Sequence, residues 1–228
     1  MRAISTDELK NFEIFSSLSH DELKKFQQHM FRRTYKKNQL LFTEGDPRER
    51  IYFLLDGYVK LERTNKEATM LYLDYVKPND MFPYGGLFHD DFYHYSSFAL
   101  TDIVVYYIPA RIFEEAVKAH KEQLLYVIKR LSKILEHHEI RLQTITTNNV
   151  KERVELAVTY LIKHYGFREG NHVIIDIPMT LTEIAKLSGA SRETVSHVFK
   201  DLKNDQLLST EFKHIVVYDP EYFLQKLQ

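Results

Sequence analysis

Between Thr180 and Ser209 the chain reads TLTEIAKLSGASRETVSHVFKDLKNDQLLS, two short amphipathic helices joined across a glycine. Thr180 and Glu183 form a T-x-x-E capping box that starts the first helix. Ile184 and Leu187, one turn apart, give that helix an apolar contact. Ser188, Gly189 and Ala190 make the turn, where Gly189 takes a positive φ without steric cost. Ser191 then caps a second helix running to about Asn204. At about 100° per residue, Val195, Val198, Phe199 and Leu202 fall on one arc of it. Arg192, Glu193, Ser196, His197 and Lys200 fall on the other, near its start. A helix packed on one side and polar at the start of the other can present side chains to base edges in a DNA groove. An arginine fork pairs with guanine O6 and N7, and a glutamate accepts from cytosine N4. A solvated polar face has the same pattern, but here the capping box, glycine turn and two-sided helix coincide, which favours DNA. Thr182 and Ser191 join the expected contact set.

At 228 residues, 44% of them hydrophobic, the chain is long enough for two domains with real cores. Cysteine is absent, which excludes disulfides, zinc–thiolate sites and cysteine-ligated iron–sulfur clusters. Met1–Phe15 is amphipathic and interrupted by Asp7, Glu8, Lys10 and Glu13, unlike a signal peptide. No apolar run approaches the roughly 20 residues needed to span a membrane. The expectation is a soluble, cytoplasmic protein with no membrane partner. The net charge of −1 supplies no general attraction to DNA. That attraction must come from local cations such as Lys186, Arg192, Lys200, Lys203 and Lys213.

Two N-terminal helices are expected over Thr6–Phe12 and Ser19–Met30, the second capped by Ser19 with Glu22 three residues on. From Phe31 to Ile108 the texture changes to β-rich runs: QLLFTEG, IYFLLDGYVKLER, MLYLDYV and FALTDIVVYYI. Turn signals at Gly45-Asp46-Pro47, Asp56-Gly57, Thr64-Asn65-Lys66 and Pro78-Asn79-Asp80 separate them. Short strands at this spacing suggest a closed antiparallel barrel or jelly roll. Pro109 opens a helical stretch to about Thr147. Within it Leu124, Ile128, Leu131, Leu135, His138, Leu142 and Ile145 alternate at steps of four and three, a heptad seam that argues for a parallel dimer. One helix packed on its own barrel is the alternative, which Val127 and Ile134 could support. Thr146–Asn149 breaks the pattern as a hinge. A helix over Val150–Tyr165, the strand HVIIDIP, the two-helix motif and the pair Leu207–Ser209 with His214–Tyr218 form a small winged domain. The expected division is 1–30 for the N-terminal helices, 31–109 for the barrel, 110–147 for the helices with the coiled coil, and 148–228 for the winged domain.

This order of elements resembles the Crp/Fnr family of bacterial regulators, named for the catabolite activator and the fumarate–nitrate regulator. The best local matches are Phe42-Thr43-Glu44-Gly45-Asp46, Ile51-Tyr52-Phe53-Leu54-Leu55-Asp56-Gly57, Asn79-Asp80 with Gly86-Leu87-Phe88, and Ser191-Arg192-Glu193-Thr194-Val195. The resemblance implies an α+β fold: an N-terminal antiparallel β-barrel of cyclic-nucleotide-binding jelly-roll type, a long central dimerisation helix, and a C-terminal winged helix-turn-helix. It implies a homodimeric transcription regulator on double-stranded DNA at a pseudo-palindromic operator, with RNA polymerase as a further partner and no enzymatic activity. Arg192, Glu193, Ser196 and His197 then occupy base-reading positions. Arg192 and Glu193 look like the catabolite-activator branch, which reads a TGTGA-type half-site, whereas Ser196 looks like the oxygen-sensing branch, which prefers TTGAT. His197 stands where an arginine is usual. A neutral imidazole cannot replace a bidentate guanidinium, so a neighbour compensates or the operator is relaxed there.

In cyclic-AMP-binding members a Gly-Glu pair and an Arg-Ser pair hold ribose and phosphate. Aligned on Gly86-Leu87-Phe88, the first pair becomes Pro83-Tyr84 and the second falls near His94-Tyr95. No arginine lies between Arg63 and Arg111, and an arginine fork is the usual holder of a cyclic phosphate. The barrel is therefore expected not to use cyclic AMP. The candidate effector pocket is Tyr84, Gly85, Gly86, Leu87, His94 and Tyr95, with His138 and Glu139 of the dimer helix. Its ligand is unknown: a small molecule, a haem, or none. The same aromatic stretch also reads as barrel core, and His138 as a polar register device in the seam. The aromatic-rich, cysteine-free barrel looks like the ArcR-like branch, regulators of anaerobic arginine catabolism in low-GC Gram-positive bacteria. A haem-dependent gas sensor using His89, His94 or His137–His138 is an alternative. A cupin-like metal enzyme with His89, Asp90, Asp91 and His94 is another. Cupin ligands converge from separate strands, whereas these crowd into one segment, so neither a catalytic residue nor a metal ligand is assigned.

Overall fold

The computed structural model describes residues 4–64, 70–211 and 214–227, and their side chains other than those of 70–72, 143–145 and 227. Lys213 and the side chain of Ile145 lie outside the described residues. The chain divides into two compact units, Met1–Leu135 and Glu136–Gln228.

The first unit opens with α1 (Thr6–Lys10), a 3-10 turn at Glu13–Phe15, and α2 (His20–Gln28). Both halves of the α2 capping box are made: Ser19 N donates to Glu22 Oε2 at 2.8 Å, and Glu22 N donates to Ser19 Oγ at 3.4 Å. Eight strands follow: β1 (Phe31–Tyr35), β2 (Leu40–Phe42), β3 (Arg50–Asp56), β4 (Val59–Thr64), β5 (Met70–Val76), β6 (Met81–Phe82), β7 (Ser96–Ala99) and β8 (Ile103–Pro109). All pair antiparallel, in two four-stranded sheets ordered β1-β8-β3-β6 and β2-β7-β4-β5. The sheets do not join edge to edge into a closed barrel, so the jelly-roll form of the expectation is the one adopted.

Strand β3 shows why its sequence is continuously apolar. Tyr52 and Leu54 point into the core between the sheets, where Tyr35, Phe42, Phe82, Tyr93 and Tyr95 also lie. Ile51 and Phe53 point the other way, into a second core built with α1, α2 and α3 (Ala110–Lys118). With both faces buried, period-two alternation between polar and apolar residues disappears. Aromatic rings fill the inter-sheet core: Phe42 stacks on Tyr93 with centroids 3.8 Å apart, and Tyr52 on Phe82 at 5.3 Å.

The helical stretch after Pro109 is two helices, α3 and α4 (Lys121–Thr146), broken at Ala119–His120. Gln123 and Val127 bury one face of α4, and Leu124, Tyr126 and Ile134 pack against the first unit's core. The other face leaves Ile128 58%, Leu131 39%, Leu135 59% and Leu142 60% exposed.

The second unit holds α5 (Val150–Tyr165), β9 (Gly166–Glu169), β10 (His172–Ile175), α6 (Leu181–Ser188), α7 (Arg192–Asn204), β11 (Leu208–Glu211), β12 (His214–Val217) and α8 (Pro220–Leu224). Its sheet runs β11-β12-β10-β9. Glu155, 3% exposed, ties the C-terminal segment to α5: Tyr222 Oη donates to its Oε1 at 2.9 Å, and Lys226 Nζ lies 2.9 Å from its Oε2.

Candidate nucleic-acid interface

Helix α7 is built as its sequence dictates. Ser191 Oγ accepts from Thr194 N at 3.0 Å and caps the helix. Val195, Val198, Phe199 and Leu202 are buried, while Arg192, Glu193, Ser196, His197 and Lys200 are exposed. Before it, Thr180 Oγ1 accepts from Glu183 N at 3.2 Å to start α6, whose first turn carries the exposed Thr182. Gly189 ends α6 with φ 59°, in the left-handed region, and Ala190 N donates back to Ala185 O at 3.0 Å. An open cleft lies between α7, the start of α6 and the hairpin β11–β12, lined in part by Thr180, Ser196, Lys200, Lys203 and Thr210. Lys203 Nζ donates to Thr210 Oγ1 at 2.6 Å, joining α7 to the hairpin. The cleft brings together a helix N-terminus, which favours anions, and ammonium groups of the helix expected to read bases. Ser191 serves as a cap first, since its hydroxyl also lies 2.9 Å from Thr194 Oγ1.

Residues 32–120 match the family model of the cyclic nucleotide-binding domain, and residues 156–225 that of the Crp-like helix-turn-helix domain. The HTH-type transcriptional regulator ArcR of Staphylococcus epidermidis is 30% identical over 193 residues, 84% of each chain. This chain belongs to the Crp/Fnr family of transcription regulators. The global nitrogen regulator of Nostoc sp. is 28% identical over 191 residues, 82% of this chain and 85% of its own. Among solved structures, FixK2 from Bradyrhizobium japonicum superposes with a TM-score of 0.74 at 18% identity, over 86% of this chain and 96% of its own. A CooA mutant from Carboxydothermus hydrogenoformans gives 0.71 at 18%, over 95% and 94%. These likenesses show the fold. The chain is thus a DNA-binding transcription regulator of Crp/Fnr type. No helix among the described residues is long and apolar enough to cross a membrane.

In this Crp/Fnr regulator the segment from Tyr84 to Tyr95 is packed against its own neighbours. Tyr84 is buried, with its Oη 3.3 Å from Tyr126 Oη, and burial pushes its phenol pKa well up. Gly85 N lies 3.4 Å from Tyr95 Oη, and Leu87 is buried. His94 Nε2 lies 2.9 Å from Asp90 Oδ2, a hydrogen bond that holds the Asp90 carboxyl below the ordinary range. His89 and Asp91 are exposed, and among the described residues no three His, Asp or Glu side chains converge as metal ligands. His138 and Glu139 belong to the second unit. His137 contacts His164 at 4.0 Å between ring centroids, beside a cavity of about 30 Å³ that both help to line.

Two arginines flank the segment that the sequence leaves without one. Arg48 Nη2 lies 2.6 Å from Glu114 Oε1, Nε and Nη2 donate to Asp90 O, and Nη1 is buried without a partner. Arg130 of α4 lies 3.0 Å from Asp80 Oδ2 and over the Tyr84 ring at 5.8 Å. Neither was in the expected set, because each reaches this segment from a distant part of the chain.

Proposed function

We propose that the chain acts in the cytoplasm as a homodimer that reads a pseudo-palindromic operator with one α7 from each protomer. Arg192, Glu193, Ser196 and His197 face base edges, with Lys200, Ser191 and Thr182 beside them. The half-sites are centred about 34–36 Å apart, in successive major grooves. The observation that carries the dimer is the exposed seam of α4. Ile128, Leu131, Leu135 and Leu142 repeat at heptad spacing on a helix whose opposite face is already packed. A row of large apolar side chains at this period is what a second copy of the same helix covers. His138 holds the remaining heptad position within this seam, whereas Leu124, expected to extend it, packs against the first unit's own core instead.

Residues 31–109 act as the sensor, 110–147 as the dimerisation element, 148–228 as the DNA reader, and 1–30 as the helical cover. Cyclic AMP is not the chain's effector. Tyr84 and His94 stand where cyclic-AMP-binding members carry their carboxylate and arginine, and Arg48 and Arg130 are each already paired with a carboxylate. RNA polymerase is the further partner, anaerobic or arginine metabolism the regulated process, and the chain has no catalytic role.

Sedimentation equilibrium of the wild type and Leu135→Asp tests the dimer. The wild type is expected to be dimeric at micromolar concentration, and the variant monomeric and at least about tenfold weaker on a palindromic duplex. A dimer that survives Leu135→Asp contradicts the seam.

A further inference from the structure

The guanidinium of Arg153 meets three backbone carbonyls from two segments that are distant in sequence. Its Nη1 donates to Thr147 O at 2.8 Å, in the stretch between α4 and α5. Its Nε donates to Ser188 O at 3.1 Å, and its Nη2 to Gly189 O at 3.3 Å, at the end of α6. We infer that Arg153 is a positioning residue for DNA reading, which fixes the turn leading into α7 to the stretch that joins α4 to α5.

The local electrostatics point the same way. Arg153 is the fourth residue of α5, close to that helix's positive end, where a cation is disfavoured. Ser188 is the last residue of α6 and Gly189 its left-handed cap. Carbonyls there form the negative end of α6 and lack partners within the helix. The arginine is thus placed against the preference of its own helix and in favour of its neighbour's. Ser188 is fully buried, and its hydroxyl is committed to Ile184 O at 2.8 Å. Ser191, which caps α7, follows two residues after Gly189, so any shift of this turn displaces Arg192 and Glu193 directly. Three carbonyls at separate positions require a planar fork with several fixed donors. A lysine ammonium on a flexible stem carries the charge but not the fork.

The role predicts an effect on where α7 sits, beyond its folding. It rests on the dimeric reading above. The test uses the full-length chain, as wild type, Arg153→Lys and Arg153→Ala. The probes are duplexes carrying two inverted copies of one half-site, separated by spacers that differ in single-base-pair steps. A thermal melt of each variant checks folding, and Arg153→Lys serves where Arg153→Ala does not fold.

Both substitutions are expected to lower affinity on the best wild-type spacing by about tenfold, the scale of one or two lost charge-related hydrogen bonds. Both should also broaden the spacing preference. The slope of affinity against salt should stay at the wild-type value, because Arg153 spends its donors on carbonyls rather than phosphates. An optimum that Arg153→Lys retains at wild-type affinity overturns the proposal, since charge alone then suffices. So does an equal loss at every spacing, which reads as stability only, or a salt slope reduced by about one, which reads as a phosphate contact. A wild-type chain with no spacing optimum contradicts the dimeric reading and this proposal together.

Discussion

Single residues in this fold are constrained for different physical reasons, and Gly57 and Gly189 separate two of them. Both have positive φ, at 80° and 59°. A methyl group at Gly189 meets nothing within 4 Å, whereas one at Gly57 overlaps the Asp102 carbonyl and comes within 2.5 Å of Thr101 Oγ1. Gly189→Ala is expected to cost only the left-handed backbone penalty, about 1 kcal/mol. Gly57→Ala adds a clash with backbone and should cost about 3 kcal/mol or more. Urea titration measures both, and equal losses would contradict the distinction. Asp80 is governed by burial. Burial holds its carboxyl above the ordinary range, although the Arg130 guanidinium 3.0 Å away pulls it down. The folded chain therefore binds that proton more tightly than the unfolded chain. Its contribution to stability falls as pH rises from the unfolded value, about 4, through the raised one, and is flat above. The melting temperature of the wild type minus that of Asp80→Asn should decline as pH rises from about 4 and then level off. A flat or rising difference would show that the ion pair outweighs burial.

At the scale of elements, a buried carboxylate clasps the C-terminal segment of the second unit to α5, beside the buried Phe223 and the bond from Thr159 Oγ1 to Phe223 O at 3.0 Å. Glu155→Ala removes the acceptor of Tyr222 Oη and the counter-charge of Lys226. Because Lys226 can turn to solvent, the loss should be about 2 kcal/mol, with protease cleavage near residue 220 rising before the global transition. Unchanged stability would contradict the clasp. Elements of this kind differ in how far the sequence reveals them. Helices α2, α6 and α7 were legible because a cap and a 3.6-residue stripe are local signals, held within a dozen residues. Strand β1 carries little strand signal: in FRRTY only Tyr35 is buried, since β1 is an edge strand pairing with β8 alone. Strand β9 is likewise exposed at Phe167, Arg168 and Glu169, and its signal is the two-residue Gly170-Asn171 connection to β10. The polar face of α7 was readable for the same local reason as its cap. The two arginines beside the Tyr84–Tyr95 segment were not, because Arg48 finds Glu114 66 residues on, and Arg130 finds Asp80 50 residues back.

At the scale of the whole molecule, membership of the Crp/Fnr family rests on two domain matches and on a relative that spans most of the chain. The dimer and the half-site reading are the further steps. A net charge of −1 gives the molecule no general pull toward DNA. In the proposed dimer the affinity comes from two copies of the same local surface, and should fall steeply with salt once both engage. The decisive experiment is selection of the purified chain on a randomised duplex pool, followed by a salt titration on the recovered sequence. The predicted result is an inverted repeat with TGTGA- or TTGAT-like arms about one helical turn apart, relaxed at the base pair facing His197. Recovery of a single unrepeated site, or no enrichment under any salt condition that permits binding, would contradict a dimer reading DNA through Arg192, Glu193, Ser196 and His197.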